Sequence, residues 1–138
     1  MARAKQRIII IGGSIAGLFA GVLLRRAGCE VDIYERAGQA LASRGAGITT
    51  HDALYAALDQ AGIHIHDKLA IESRGRVMLD QRGAELGWLD MPQLMTSWTL
   101  LYRLLRERFP ECHYHDSHEL RTITTQQHGV VATFDNGT

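Results

Sequence analysis

Apolar residues fall along this chain in three rhythms: unbroken runs, helical stripes and short strand-like stretches. The first run is residues 8–11, four isoleucines in a row. A β-branched run without alternation predicts a short parallel strand covered on both faces. Gly12-Gly13-Ser14 breaks it. Residues 15 to about 27 are then apolar all round, which predicts a buried helix between the sheet and a further layer. Gly28 closes this helix, and Arg25-Arg26 marks where it emerges. Residues 31–34 predict a second strand, ended by the acid Glu35.

Beyond Glu35 the rhythm changes. Residues 37–47 are small and carry no periodicity, so a loop is expected there, with one strong charge at Arg44. Residues 48–50 suit a short strand. Residues 51–61 suit a helix with Leu54, Leu58 and Ala61 on one face and Gly62 as its stop. Residues 63–71 fit neither pattern. Two strands, 76–79 and 85–89, joined by a turn at 80–83, open a different sheet, and Met91-Pro92 ends that hairpin. Thr96 or Ser97 caps a helix that runs to Phe109 and stops before Pro110. Trp98, Leu101, Tyr102, Leu105 and Phe109 form its core stripe; Arg103, Arg106, Glu107 and Arg108 form its solvated face. A short strand at 112–115 follows, then a hairpin of 119–125 with 130–134, turning near His128-Gly129.

The opening strand, glycine turn, helix and acid-ended strand together predict an α/β chain with a Rossmann-like dinucleotide-binding fold. Gly12 lets the chain turn at the strand end, and Gly17 lets the helix lie close to the sheet. The helix start aims unpaired N–H groups and the positive end of its dipole at one point, which suits a pyrophosphate. Glu35, 23 residues after Gly12, can accept both hydroxyls of an adenosine ribose and disfavours a 2′-phosphate. NAD or FAD is therefore expected rather than NADP. The motif departs from Gly-x-Gly-x-x-Gly at Ser14, the mildest replacement for its second glycine, whose hydroxyl can itself donate to a phosphate oxygen. The bland alternative is an ordinary strand-turn-helix that binds nothing; the small residues Gly21 and Gly28 and the acid at the right distance weigh against it.

Composition narrows the classes. The chain has 138 residues, 46% of them hydrophobic and 22% charged, which suits one soluble globular domain. Fifteen basic residues balance fifteen acidic ones, so nothing steers the chain toward nucleic acid or an anionic membrane. Cys29 and Cys112 are too scattered for a disulfide framework and read as reduced thiols of a cytoplasmic protein. The basic start precedes too short an apolar run for a signal peptide, and the first helix is far too short for a membrane span. Seven histidines invite a metal reading at His64-x-His66 and His113-x-His115-x-x-His118, but no Cys or acid completes a recognisable spacing, so no metal is assigned. No nucleophile sits in a hydrolase-type elbow.

GGSIAGLFAGVLLRRAG followed by VDIYER, with SRGAGI at 43–48, resembles the N-terminus of the FAD-dependent aromatic hydroxylases, the para-hydroxybenzoate hydroxylase superfamily. TSWTLLYRLLRERFP resembles its 2,6-dihydroxypyridine hydroxylase branch. The resemblance covers nearly all of residues 1–138. It implies a parallel sheet that binds FAD, with residues of about 70–95 starting a second, β-rich substrate-side sheet. It also implies a monooxygenase that uses tightly bound FAD, NAD(P)H as transient reductant and oxygen to hydroxylate a small aromatic or N-heteroaromatic ring. The implied cofactor-binding residues are Gly12, Gly13, Ser14, Ile15, Ala16, Gly17, Glu35, Arg36 and Arg44; no catalytic residue is assigned. Trp98 stands where many members carry an FAD-contacting arginine, and core packing is its expected role. The family's later Asp-Gly and Gly-Asp signatures are not in this chain. Asn136-Gly137 is a strong turn signal with a strand before it and none after, so a truncated N-terminal portion is expected, inactive alone, of a parent that can be a homodimer. Another flavoenzyme on the same fold, or a nucleotide-binding remnant without activity, remains the alternative.

Overall fold

The computed structural model describes residues 6–38 and 47–138, without the side chains of His66 and Asp67. Three parallel strands make the first sheet: β1 (Arg7–Ile11), β2 (Glu30–Tyr34) and β6 (Tyr114–His115), in the order β1-β2-β6. β1 and β2 pair in strict register from Arg7 with Glu30 to Ile11 with Tyr34. Helix α1 (Ile15–Arg26) makes the crossover between them, as parallel pairing requires. The isoleucine run forms the expected strand but is only half-buried, and Ile11 is exposed. Among the described residues β1 has a strand neighbour on one side only, so it is not covered as a central strand would be.

α1 lies between this sheet and α4 (Trp98–Arg108), the further layer its all-round apolarity called for. A Cβ on Gly21 would stand 2.8 Å from Ile33 Cδ1 and 2.8 Å from a Phe109 ring carbon, so the absent side chain sets how closely the layers approach. Leu18, Val22, Val31, Ile33, Leu101, Leu105 and Phe109 fill the core between them, and Leu58, Ala61 and Ile63 extend it under α2 (Asp52–Gln60). Ser97 caps α4, its Oγ accepting from the N–H of Leu100 at 3.1 Å. The ambiguous stretch after Gly62 contains a single helical turn, α3 (His66–Leu69).

The second sheet is antiparallel, β3 (Gly47–Thr49), β5 (Glu85–Ser97) and β4 (Ile71–Leu79) in the order β3-β5-β4. Its strands are longer than the pattern suggested, and Pro92 lies inside β5 instead of ending it. Pairing runs through Glu72 with Leu94 and Ser73 with Gln93, then shifts so that Gly75 faces Asp90. Met91 and Pro92 thus share one position opposite Arg74. A bulge absorbs the residue that has no N–H for the ladder. The hairpin β7 (Leu120–Gln126) with β8 (Gly129–Phe134) completes the fold, and Phe134 stacks on Tyr34 with ring centres 4.4 Å apart.

Candidate functional site

The carboxyl ends of β1 and β2 and the start of α1 meet at one corner. Gly12 continues the β1–β2 ladder by one step, its N–H donating to Tyr34 O at 2.8 Å. It then turns with φ +103°, a left-handed conformation that glycine adopts without strain. Gly17 follows one turn into α1, and a Cβ there would lie 1.9 Å from Gly12 O. Here the two outer glycines of the motif have separate jobs, one conformational and one steric. Ser14 is the N-cap of α1 in extended geometry, and its hydroxyl makes no capping hydrogen bond. The first N–H groups of the helix, which no helical carbonyl can reach, share this corner with the serine hydroxyl.

Glu35 is more tightly built in than its place in the sequence suggests. It is only 7% exposed. Its Oε2 accepts from Gly13 N–H at 2.7 Å and its Oε1 from Ala37 N–H at 2.8 Å. Its backbone is held too, N–H to His115 O and O to His118 N–H, both at 2.9 Å. Each carboxylate oxygen keeps a lone pair beyond the one used, so the group can brace the glycine turn and still accept hydroxyl donors. A cleft of ≈ 300 Å³ opens here, lined by Ile11, Gly12, Tyr34, Glu35, Arg36, His118, Glu119 and Leu120.

The structure thus brings Gly12, Gly13, Ser14, Ile15, Ala16, Gly17, Glu35 and Arg36 to one corner. Arg44 falls outside the described residues. His118, Glu119 and Leu120 were not singled out for this cleft by sequence; their one signal is the short strand β6 before them, since crevices form beyond the carboxyl ends of parallel strands. Of the histidine pairs, His113 Nδ1 and His115 Nε2 both bond one oxygen of Asp32, at 2.9 and 3.2 Å. His64 Nδ1 lies 2.8 Å from Asp59 Oδ1. Among the described residues no group of three or more His, Cys, Asp or Glu is arranged to hold a metal ion. Trp98 stacks on Tyr102, ring centres 4.9 Å apart and nearly parallel. Arg106 does not belong to the solvated face of α4. Its guanidinium lies over the Tyr114 ring, 4.1 Å from the centroid, and bonds Glu111.

The residues present fit a dinucleotide. A cradle that a Cβ would close, a helix start with unpaired donors and an acid at the cleft wall supply donors for phosphates and acceptors for ribose hydroxyls. Comparison with known proteins agrees. A family model described as "FAD binding domain" matches residues 5–138. 2,6-Dihydroxypyridine 3-monooxygenase of Paenarthrobacter nicotinovorans is 33% identical over 139 residues, which cover 100% of this chain and 35% of that protein. The solved structure of 2,6-dihydroxypyridine-3-hydroxylase from Arthrobacter nicotinovorans superposes with a TM-score of 0.80 at 33% identity, covering 99% of this chain and 35% of that one. Klebsiella pneumoniae HpxO complexed with FAD and uric acid shares the fold, with a TM-score of 0.73 at 19% identity over 96% of this chain and 36% of that one. The chain therefore spans 35% of the length of the curated relative it matches throughout. No helix among the described residues is long and apolar enough to cross a membrane.

Proposed function

This chain belongs to the FAD binding domain family, and on that premise we propose that it supplies the adenosine half of the FAD site in a flavin-dependent monooxygenase acting on an aromatic or N-heteroaromatic ring. The observation that carries the reading is the Glu35 carboxylate, fixed against the glycine turn at the wall of the cleft. Bound flavin supplies the redox chemistry, with NAD(P)H as electron donor and oxygen as co-substrate. The protein's part is binding and orientation. Amides from Ser14 to Gly17 and the Ser14 hydroxyl face the pyrophosphate. Glu35 accepts the ribose hydroxyls and repels a 2′-phosphate. Arg36, and Arg44 from its glycine-rich segment, add cationic donors near the phosphates.

The substrate class rests on the relatives. A dihydroxypyridine, a nitrogen-containing ring, is named for both matches at 33% identity. The sheet β3-β5-β4 is the substrate-side layer in this reading; most of it lies within the expected 70–95, with β3 at Gly47–Thr49 joining it from earlier in the chain. A cytoplasmic setting with reduced Cys29 and Cys112, no nucleic-acid partner and a homodimeric longer protein complete it.

The decisive measurement is the visible spectrum of the purified chain, alone and with added FAD, with NADP⁺ as competitor. Retained or restored flavin bands that NADP⁺ does not diminish are expected, either in this chain or in one lengthened to match its relatives. A colourless protein at both lengths overturns the reading. NAD(P)H oxidation stimulated by a hydroxylated pyridine in the longer form tests the reaction itself.

A further inference from the structure

We propose that Tyr114 is a positioning residue for the phosphate-binding turn, acting as a clamp on the peptide of Gly13. This rests on the FAD reading and adds a residue on a different strand to it. Tyr114 is buried on β6, yet its hydroxyl crosses to the turn and donates to Gly13 O at 3.0 Å. Tyr102 Oη lies 3.2 Å from Tyr114 Oη. Tyr114 has one proton and spends it on Gly13, so Tyr102 is the donor in that second bond. Burial pushes the Tyr114 pKa far up and the hydrogen bond with Tyr102 pushes it further, so the hydroxyl stays a donor throughout the working range of pH. Trp98 stacked on Tyr102 and Arg106 over the Tyr114 ring hold the pair in place from α4.

Gly13 is thereby gripped at both ends, its N–H by Glu35 and its carbonyl by Tyr114. In a trans peptide the carbonyl and the following N–H point opposite ways. Fixing Gly13 O toward Tyr114 therefore fixes Ser14 N–H away from it, at the anion-binding end of α1. The same contact explains why a glycine fills the variable place between the first two motif positions. A Cβ on residue 13 would lie 2.2 Å from Tyr114 Oη. Sequence alone hides this link, because Tyr114 lies 101 residues away.

The test compares wild type with Tyr114→Phe and Tyr102→Phe in the full chain. Tyr114→Phe keeps the ring and removes the hydroxyl. The carbonyl ¹³C resonance of Gly13, read through the Ser14 amide, is expected to shift in Tyr114→Phe and much less in Tyr102→Phe. The Kd for ADP is expected to rise about five- to tenfold in Tyr114→Phe, while that for adenosine, which has no phosphate, stays within about twofold. Thermal melts identify any loss of folding. An unmoved Gly13 resonance, or a shifted one with unchanged ADP affinity, overturns the clamp while leaving the FAD reading standing. Failure of the wild type to take up either ADP or FAD, both at this length and lengthened to match its relatives, overturns the FAD reading and the positioning role with it.

Discussion

Asp32 carries two imidazoles on one oxygen. His113 Nδ1 and His115 Nε2 reach it from the neighbouring segment, and Arg7 stands 4.0 Å from its other oxygen. Burial by itself would raise the Asp32 pKa; the hydrogen bonds from His113 and His115 outweigh it, and the result lies below the ordinary 3.8. A carboxyl depressed in the folded state contributes stability above its unfolded pKa and loses it as pH falls through the folded value. The expected outcome is that the wild type loses stability steeply below about pH 4. Asp32→Asn should be less stable at pH 6 and flatter through the acid range. Urea midpoints from pH 6 to pH 2 check this; parallel curves for the two proteins would remove Asp32 from the acid limb. At this scale the sequence is a partial guide. The i, i+2 spacing of His113 and His115 singles out the pair that meets Asp32, but not by strand geometry: only His115 lies on β6, and His113 ends the 3-10 turn at Glu111–His113 that precedes it. What they meet is set by strand order, which local pattern does not encode. Glu35 is similar: its place at the tip of β2 is legible, but its bonds to Gly13 and Ala37 are not.

Elements come out more legibly than contacts. The parallel pair β1–β2, the helix between them and the capped helix α4 follow from runs, stripes and punctuation that are local in the chain. Pro92 misleads because a proline ordinarily ends a strand, whereas a bulge lets β5 continue past it. The α1 glycines allow a ranked prediction. Alanine in a helix interior is favoured over glycine by about 1 kcal/mol, so both Gly17→Ala and Gly21→Ala begin with that gain. At Gly21 the new methyl meets the outer atoms of Ile33 and Phe109, which can rotate or shift. At Gly17 it meets the carbonyl oxygen of Gly12, and the Gly12 N–H is pinned to β2. Overpacking costs about 1–3 kcal/mol. Gly17→Ala is expected near the upper end with a displaced turn and lost ADP binding, and Gly21→Ala near the lower end with binding kept. Chemical denaturation with ADP titration decides it; the reverse order would mean that α1 shifts as a rigid body.

For the whole molecule, charge and shape act together. Fifteen basic and fifteen acidic residues leave no net charge near pH 7, where self-repulsion is weakest. The ribbon of β4 and β5 meanwhile exposes large apolar side chains on both faces: Val77, Met78 and Leu79 on one strand, Leu86, Trp88 and Leu89 on the other, with Ile71 at 76% and Leu86 at 69% exposure. An apolar surface of this kind on a chain without net charge favours association. Light scattering of the 138-residue chain is therefore expected to peak near neutral pH and to fall toward pH 5.5, below the sequence pI of about 7.1, where the chain carries net positive charge. Added salt, which screens repulsion but leaves apolar contact intact, should broaden the peak toward acid pH. Leu86→Lys with Trp88→Lys adds two charges and removes apolar area near the turn end of the ribbon. Because both side chains are exposed, the fold should persist while the scattering at pH 7 drops to the level of the acid sample. Equal scattering by the double variant and the wild type would place the association elsewhere, and scattering independent of pH would separate it from charge altogether.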